Sequence, residues 1–190
     1  SNAGYLQLFK GQNQECLLEG LKTIFEYMGC VPTFIWFDNM STIVKAIGKD
    51  STRDLTRGFE RFMLHHRFFS NFCNPDSGHE KGNVENKVGY HRRNMLVPIP
   101  RFNNLREFNK GLLRRCDKDM QRKHYKKGRI IAELFEMDKT AMNPLPNVPF
   151  EIYKLEPAKA DKYGKVRFDN GLYSSSPSSA GQEVWVKATA

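Results

Sequence analysis

Apolar residues recur at Leu17, Leu18, Leu21, Ile24, Phe25 and Met28, a spacing that predicts a helix from Asn13 to Met28. Gly29 supplies its C-terminal stop and Pro32 follows. The pattern then changes. Thr33-Phe34-Ile35-Trp36-Phe37 is aromatic and β-branched without polar alternation, which predicts a strand buried on both faces with Asp38-Asn39 at its carboxyl end. Ahead of the helix, Tyr5-Leu6-Gln7-Leu8-Phe9 reads as a short strand ended by Lys10-Gly11. Strand, helix and strand in this order predict a mixed α/β sheet with helices packed on it.

A second helix is expected from Asp54 to His66, with Leu55, Phe59, Phe62 and Met63 on its apolar face, followed by a short strand over Phe68 to Phe72. Asn74-Pro75-Asp76-Ser77-Gly78 has the chemistry of a turn. A helix is expected from about Gly82 to Val97, stopped by Pro98 and Pro100. Another begins near Asn103, with Leu105, Phe108, Leu112, Cys116 and Met120 as its buried stripe. After a short helix at Ile130 to Met137, Asn143 to Pro149 holds three prolines in six residues, a stiff linker and a domain boundary. Beyond it, Lys165-Val166-Arg167-Phe168, the turn Asp169-Asn170-Gly171 and Leu172-Tyr173 predict a β-hairpin, and Glu183 to Lys187 a further strand.

Composition narrows the class. A chain of 190 residues with 39% hydrophobic content, 14 Phe and 7 Tyr can bury a sizeable core and is not disordered. No apolar run approaches the roughly 20 residues that span a bilayer, and no signal-peptide pattern opens the chain. Cys16, Cys30, Cys73 and Cys116 are scattered with no CxxC pair, which argues against structural zinc and makes them core filler. Such thiols without an export signal point to the cytoplasm. The net charge is +9, and its distribution says more than its sum. Arg101 to Arg129 carry eleven Lys/Arg against Glu107, Asp117 and Asp119, so this stretch holds eight of the nine net charges. One basic stretch on a nearly neutral body is the footprint of a polyanion partner.

The candidate chemistry lies in two carboxylates. Asp38, at the end of an apolar strand, occupies a recurring position for active-site residues in open sheets. Glu85 stands in Lys81-Gly82-Asn83-Val84-Glu85-Asn86-Lys87, and at helical spacing shares one side with Lys81, Val88/Gly89 and Arg92. By itself, a Lys-Glu pair at i, i+4 is usually a solvated salt bridge. His79, His65 and His66 read as structural or surface residues, since adjacent helical positions point about 100° apart.

Phe37-Asp38-Asn39-Met40-Ser41-Thr42-Ile43-Val44 and Lys81-Gly82-Asn83-Val84-Glu85 together resemble the core of IstA-type insertion-sequence transposases, relatives of retroviral integrases. The 46 residues between Asp38 and Glu85 are compatible with that family. The resemblance implies a ribonuclease-H-like mixed sheet flanked by helices and an Asp-Asp-Glu triad, with Asp38 as the second Asp and Glu85 as the Glu. Their carboxylates are then expected close together. Only Glu15, Glu19 and Glu26 are acidic before Asp38, all on a predicted helix, so the first Asp is expected upstream of Gly4 and the fragment is expected to be inactive. The implied organisation is residues 1–3 as a tag remnant, 4–127 as a catalytic core lacking its first strands, 128–150 as helix and proline-rich linker, and 151–190 as the start of a small β-barrel.

The same resemblance implies two Mg²⁺ or Mn²⁺ ions, roughly 4 Å apart, serving DNA cleavage and strand transfer. Implied partners are element-end and target DNA, further copies of the chain and an ATPase helper. Lys81, Lys87, Arg92 and Arg93 are candidates for phosphate contacts, which position DNA without reading sequence, and Arg114, Arg115, Arg122 and Lys123 join them from the basic stretch. The alternatives are a ribonuclease-H-like nuclease that hydrolyses without joining, and a non-enzymatic DNA-binding module.

Overall fold

Asn13 accepts a hydrogen bond from the Cys16 amide at 2.9 Å, and Gly29 adopts φ 76°, so helix α1 (Gln14–Met28) starts and stops at its caps. This computed structural model describes residues 1–38, 40–47, 53–72 and 78–190, and for 47 and 78–84 the backbone alone. The chain divides into two units, Ser1–Phe150 and Glu151–Ala190. After α1 the first unit continues with β1 (Cys30–Val31), β2 (Phe34–Phe37), β3 (Val44–Ile47), β4 (Arg53–Leu55), α2 (Arg57–His66) and β5 (Phe69–Phe72). It closes with α3 (Gly78–Met95), α4 (Leu105–Asp119), α5 (Ile131–Lys139) and β6 (Asn143–Pro144). No described helix is long and apolar enough to cross a membrane. The Asn74 to Ser77 part of the expected turn lies outside the described residues, as do Cys73 and Asn39.

The core of this unit is aromatic. Phe25, Phe37, Phe59, Phe62 and Phe68 are all buried, with Phe37 edge-on to Phe59 at 5.1 Å and Phe25 over Phe62 at 6.1 Å. Burying each such side chain stabilises the fold by about 1.5–3 kcal/mol. His66 sits within this cluster, its Nδ1 3.0 Å from the Phe62 carbonyl oxygen and its ring 5.5 Å from that of Phe25. Cys16, Cys30 and Cys116 are buried free thiols, as core filler should be.

Three sequence expectations need correction. Tyr5 to Phe9 form no strand. Asn109 of α4 stands in for a neighbouring strand: the Leu8 amide donates to Asn109 Oδ1 (2.9 Å), and Asn109 Nδ2 donates to the Leu8 carbonyl (2.8 Å). Tyr5, Leu6 and Leu8 then pack on Met95, Leu112 and Cys116. The second correction concerns β2, which is not buried on both faces. Phe37 is buried, but Phe34 is 59% and Trp36 57% exposed, because the helices cover one face and the other carries Phe34 stacked on Phe69 at 5.2 Å. Third, α2 begins at Arg57, since Leu55 and Asp54 pair antiparallel with Val44 and Ala46. The Thr56 amide donates to the Ile43 carbonyl and ends that pairing, so tertiary contacts override a locally helical pattern.

Strands β2 and β5 run parallel, Phe34 opposite Phe69 and Phe37 opposite Phe72, with α2 in the connection between them. Strands β1 and β6 pair antiparallel, which ties the end of α1 to the segment after α5. In the second unit, β7 (Lys154–Lys159) pairs antiparallel with β10 (Glu183–Ala188). Strand β8 (Lys165–Phe168) forms a hairpin with β9 (Gly171–Ser174). Asp169 and Asn170, at φ 45° and 61°, make the hairpin turn that the sequence predicts. Strand β7 has no sequence counterpart because Pro157 interrupts it, as edge strands tolerate. Among the described residues every sheet is two-stranded and none closes.

Two outcomes follow from this packing. Asn109→Ala removes both bonds to Leu8 and is expected to cost about 1–3 kcal/mol in urea unfolding; unchanged stability would show that water replaces the amide. Burial holds the His66 imidazole below its ordinary pKa. The unfolded chain therefore takes up the proton first, and stability present above about pH 6.5 falls as the pH drops below it. His66→Gln should flatten that decline, measured as unfolding free energy between pH 7 and pH 5.

Candidate active site and nucleic-acid interface

Asp38 follows the last residue of β2 and is exposed. Its position is set by its neighbours. Phe37 is locked among Phe59, Phe68 and Phe72 at 5.1, 6.3 and 6.1 Å. On the far side the chain turns back at once: the Met40 amide donates to the Asp38 carbonyl (2.8 Å), and the Ile43 and Val44 amides donate to Met40 (3.0 and 2.9 Å). Ile43 and Val44 are buried. An exposed carboxylate thus sits between two buried anchors. A groove of about 700 Å³ runs along α1, lined by Phe9, Leu17, Leu21, Ile24, Met40 and Thr42, and does not include Asp38.

Glu85 lies on α3 and is exposed, as are Val88 and Arg92 on the same side of the helix. The opposite side faces the protein: His91 is buried, and Lys87 and Tyr90 are largely covered, while Met95 is buried at the helix's C-terminal end. At 3.6 residues per turn, Lys87 and Glu85 point almost 180° apart. Arg115 of α4 closes the C-terminal end of α3, donating from its two terminal nitrogens to the carbonyls of Met95 (2.9 Å) and Asn94 (3.0 Å). A cation there also complements the negative end of the helix dipole. Burial pushes the Lys87 ammonium below its ordinary pKa, with the Asp119 carboxylate opposing.

The eight proposed DNA contacts separate accordingly. Arg92, Arg93, Arg114 and Lys123 are exposed. Lys87 pairs with Asp119 at 3.8 Å, and Arg122 Nε donates to Asp119 at 3.1 Å. With Arg115 spent on helix capping, these three have structural partners that their sequence positions did not reveal. The Lys81 side chain lies outside the described residues, as does that of His79. Sequence reasoning missed Asp119 and Tyr90, whose hydroxyl donates to Asp119 at 2.5 Å. No short-range pattern could have found a pair 29 residues apart. Nearby, a hydrogen bond to Asp117 pushes the Tyr27 phenol up to about 12. Among the described residues no group of three or more His, Cys, Asp and Glu forms a metal cage.

No family model matches the chain. It is similar to proteins named as transposases. Identity is 27% over 97% of the chain with a transposase for insertion sequences IS1326/IS1353 from Pseudomonas aeruginosa. It is 34% over 61% of the chain with a transposase from Aminobacter aminovorans. With a putative transposase for insertion sequence element IS5376 from Geobacillus stearothermophilus it is 27% over 98%. The chain spans 36%, 23% and 46% of those proteins' lengths. The first and third similarities extend across both Asp38 and Glu85, given the share of the chain they cover.

Proposed function

We propose that this chain is catalytic-core sequence of a DNA transposase with a ribonuclease-H-like fold, in which Asp38 and Glu85 are two of three metal-holding carboxylates. The observation that carries the reading is similarity to transposases over 97% of the chain. Two features of the site support it. Asp38 stands at the carboxyl end of a strand that has a parallel partner, where open sheets gather active-site groups. Glu85 stands on the outward side of an anchored helix.

The donor chemistry suits Mg²⁺ or Mn²⁺, because both groups are exposed carboxylates offering hard oxygen ligands. A third carboxylate would come from elsewhere in the complete protein, and activity belongs to that protein. Bound metal supplies Lewis-acid charge to the phosphodiester. The chain's own residues hold it, and Arg92, Arg93, Arg114 and Lys123 meet backbone phosphates to set the position of the duplex. Water is the nucleophile in cleavage and a DNA 3′-hydroxyl in strand transfer. In each the new P–O bond forms as the old one breaks, and no protein nucleophile takes part. Self-association and an ATPase helper are further expectations of the resemblance, and the second unit is read as the start of a small β-barrel.

The test is Mg²⁺-dependent cleavage of element-end DNA by the complete protein and its Glu85→Gln variant. The variant should be inactive and folded; equal activity would remove Glu85 from the mechanism and favour a DNA-binding role alone. Phosphate contact is tested separately through the salt dependence of DNA affinity. Each of Arg92, Arg93, Arg114 and Lys123 changed to Ala should reduce the slope of log affinity against log salt by about 0.9. Arg115→Ala should leave the slope unchanged and lower the melting temperature instead. A slope insensitive to all four exposed cations would assign this surface to solvent or to a protein partner.

A further inference from the structure

Among its described side chains, helix α3 shows no apolar stripe of the kind that usually fixes a helix on a core. Of its described side chains only His91 and Met95 are buried, while Val88 is 49% exposed. Something else must set its rotation, and a polar cluster occupies that place. Asp119, at the last residue of α4, has a side chain only 12% exposed. It accepts from the Tyr90 hydroxyl at 2.5 Å and from Arg122 Nε at 3.1 Å, with Lys87 Nζ 3.8 Å away. The Tyr90 ring lies beside both cations, 4.9 Å from the Arg122 guanidinium carbon and 5.5 Å from Lys87 Nζ. Lys87 Nζ also donates to the Asn2 carbonyl at 3.1 Å. Two of these groups, Lys87 and Tyr90, belong to α3, three residues apart on its inner side, and Asp119 ties both to α4.

We propose that Asp119 is a positioning residue: through Tyr90, Lys87 and Arg122 it sets the rotation of α3 and so the direction in which Glu85 points. This rests on the reading of Glu85 as a metal-holding carboxylate. The geometry follows from helix periodicity. With Lys87 and Tyr90 held inward, Glu85 turns outward with Val88 and Arg92, and rotation by a single residue position would swing its carboxylate through about 100°. A largely covered carboxylate that accepts from the Tyr90 phenol and pairs with Lys87 is a directional constraint, since both contacts fail if the helix turns, while Arg122 holds the carboxylate itself from the α4 side. Apolar contacts, being non-directional, would not hold the angle in this way.

The experiment uses the complete protein with Asp119→Asn and, as a gentler change, Tyr90→Phe. Two readouts are needed. Amide hydrogen exchange over residues 85–95 should accelerate by about tenfold while α1 and α2 keep their protection, a local rather than global opening. The Mg²⁺ concentration for half-maximal cleavage should rise by about tenfold. Unchanged exchange in α3 together with an unchanged Mg²⁺ requirement would overturn the proposal. So would a loss of protection shared equally by α1, α2 and α3, which marks general destabilisation. A fully active Glu85→Gln protein would instead defeat the reading of Glu85, and the exchange measurement would still decide whether Asp119 holds the helix.

Discussion

The buried phenyl of Phe37 constrains this site more than any other group. Asp38 is a short exposed carboxylate at the end of β2. Its backbone is fixed because Phe37, the residue before it, is wedged among Phe59, Phe68 and Phe72. Phe59 comes from α2 and Phe68 and Phe72 from the segment that follows, so the same cluster aligns β2 with β5 and seats the intervening helix. Removing that ring would leave a cavity at the convergence of three elements, and a loss of about 3–5 kcal/mol would threaten the whole unit.

The second carboxylate is held by opposite means. Helix α3 has few buried apolar groups among its described side chains and is fastened by ions and hydrogen bonds: Asp119 at its middle and Arg115 at its end. Both fasteners lie on α4, whose other positions, Leu112, Leu113 and Cys116, are in the core. One element of the site therefore rests on packing and the other on directional polar contacts. Packing tolerates small changes of angle but resists cavities, whereas a polar clamp fixes angle and fails when one partner is lost. In a reaction that needs two carboxylates to face a common ion, such a division lets the strand fix position and the helix fix direction.

Local signals carried much of this fold and little of its long-range wiring. Apolar spacing and the Gly29 stop announced α1, and Asp169-Asn170-Gly171 announced the hairpin, because such signals act over a few residues. The aromatic run at Phe34 to Phe37 announced a strand but not its covering, since exposure depends on which helices arrive and not on the run itself. Tyr5 to Phe9 looked like a strand and is instead bonded by a side chain 101 residues away. The basic residues taught the same lesson. Lys87, Arg115 and Arg122 read as a DNA-facing set, yet each has a partner within the fold, which charge counting along the chain cannot reveal. Asp38 and Glu85 stand in paired motifs that single them out as candidates; Asp119 stands in none.

Asp38 and Glu85 are proposed to act on a common metal centre. The most direct test is a crystal structure of the complete protein with element-end DNA and Mn²⁺, read by anomalous scattering. The account predicts anomalous peaks about 2 Å from carboxylate oxygens of both residues, beside a DNA phosphate, in the range of direct oxygen ligation. Metal bound away from both carboxylates, or the two residues on opposite faces of the unit, would contradict it.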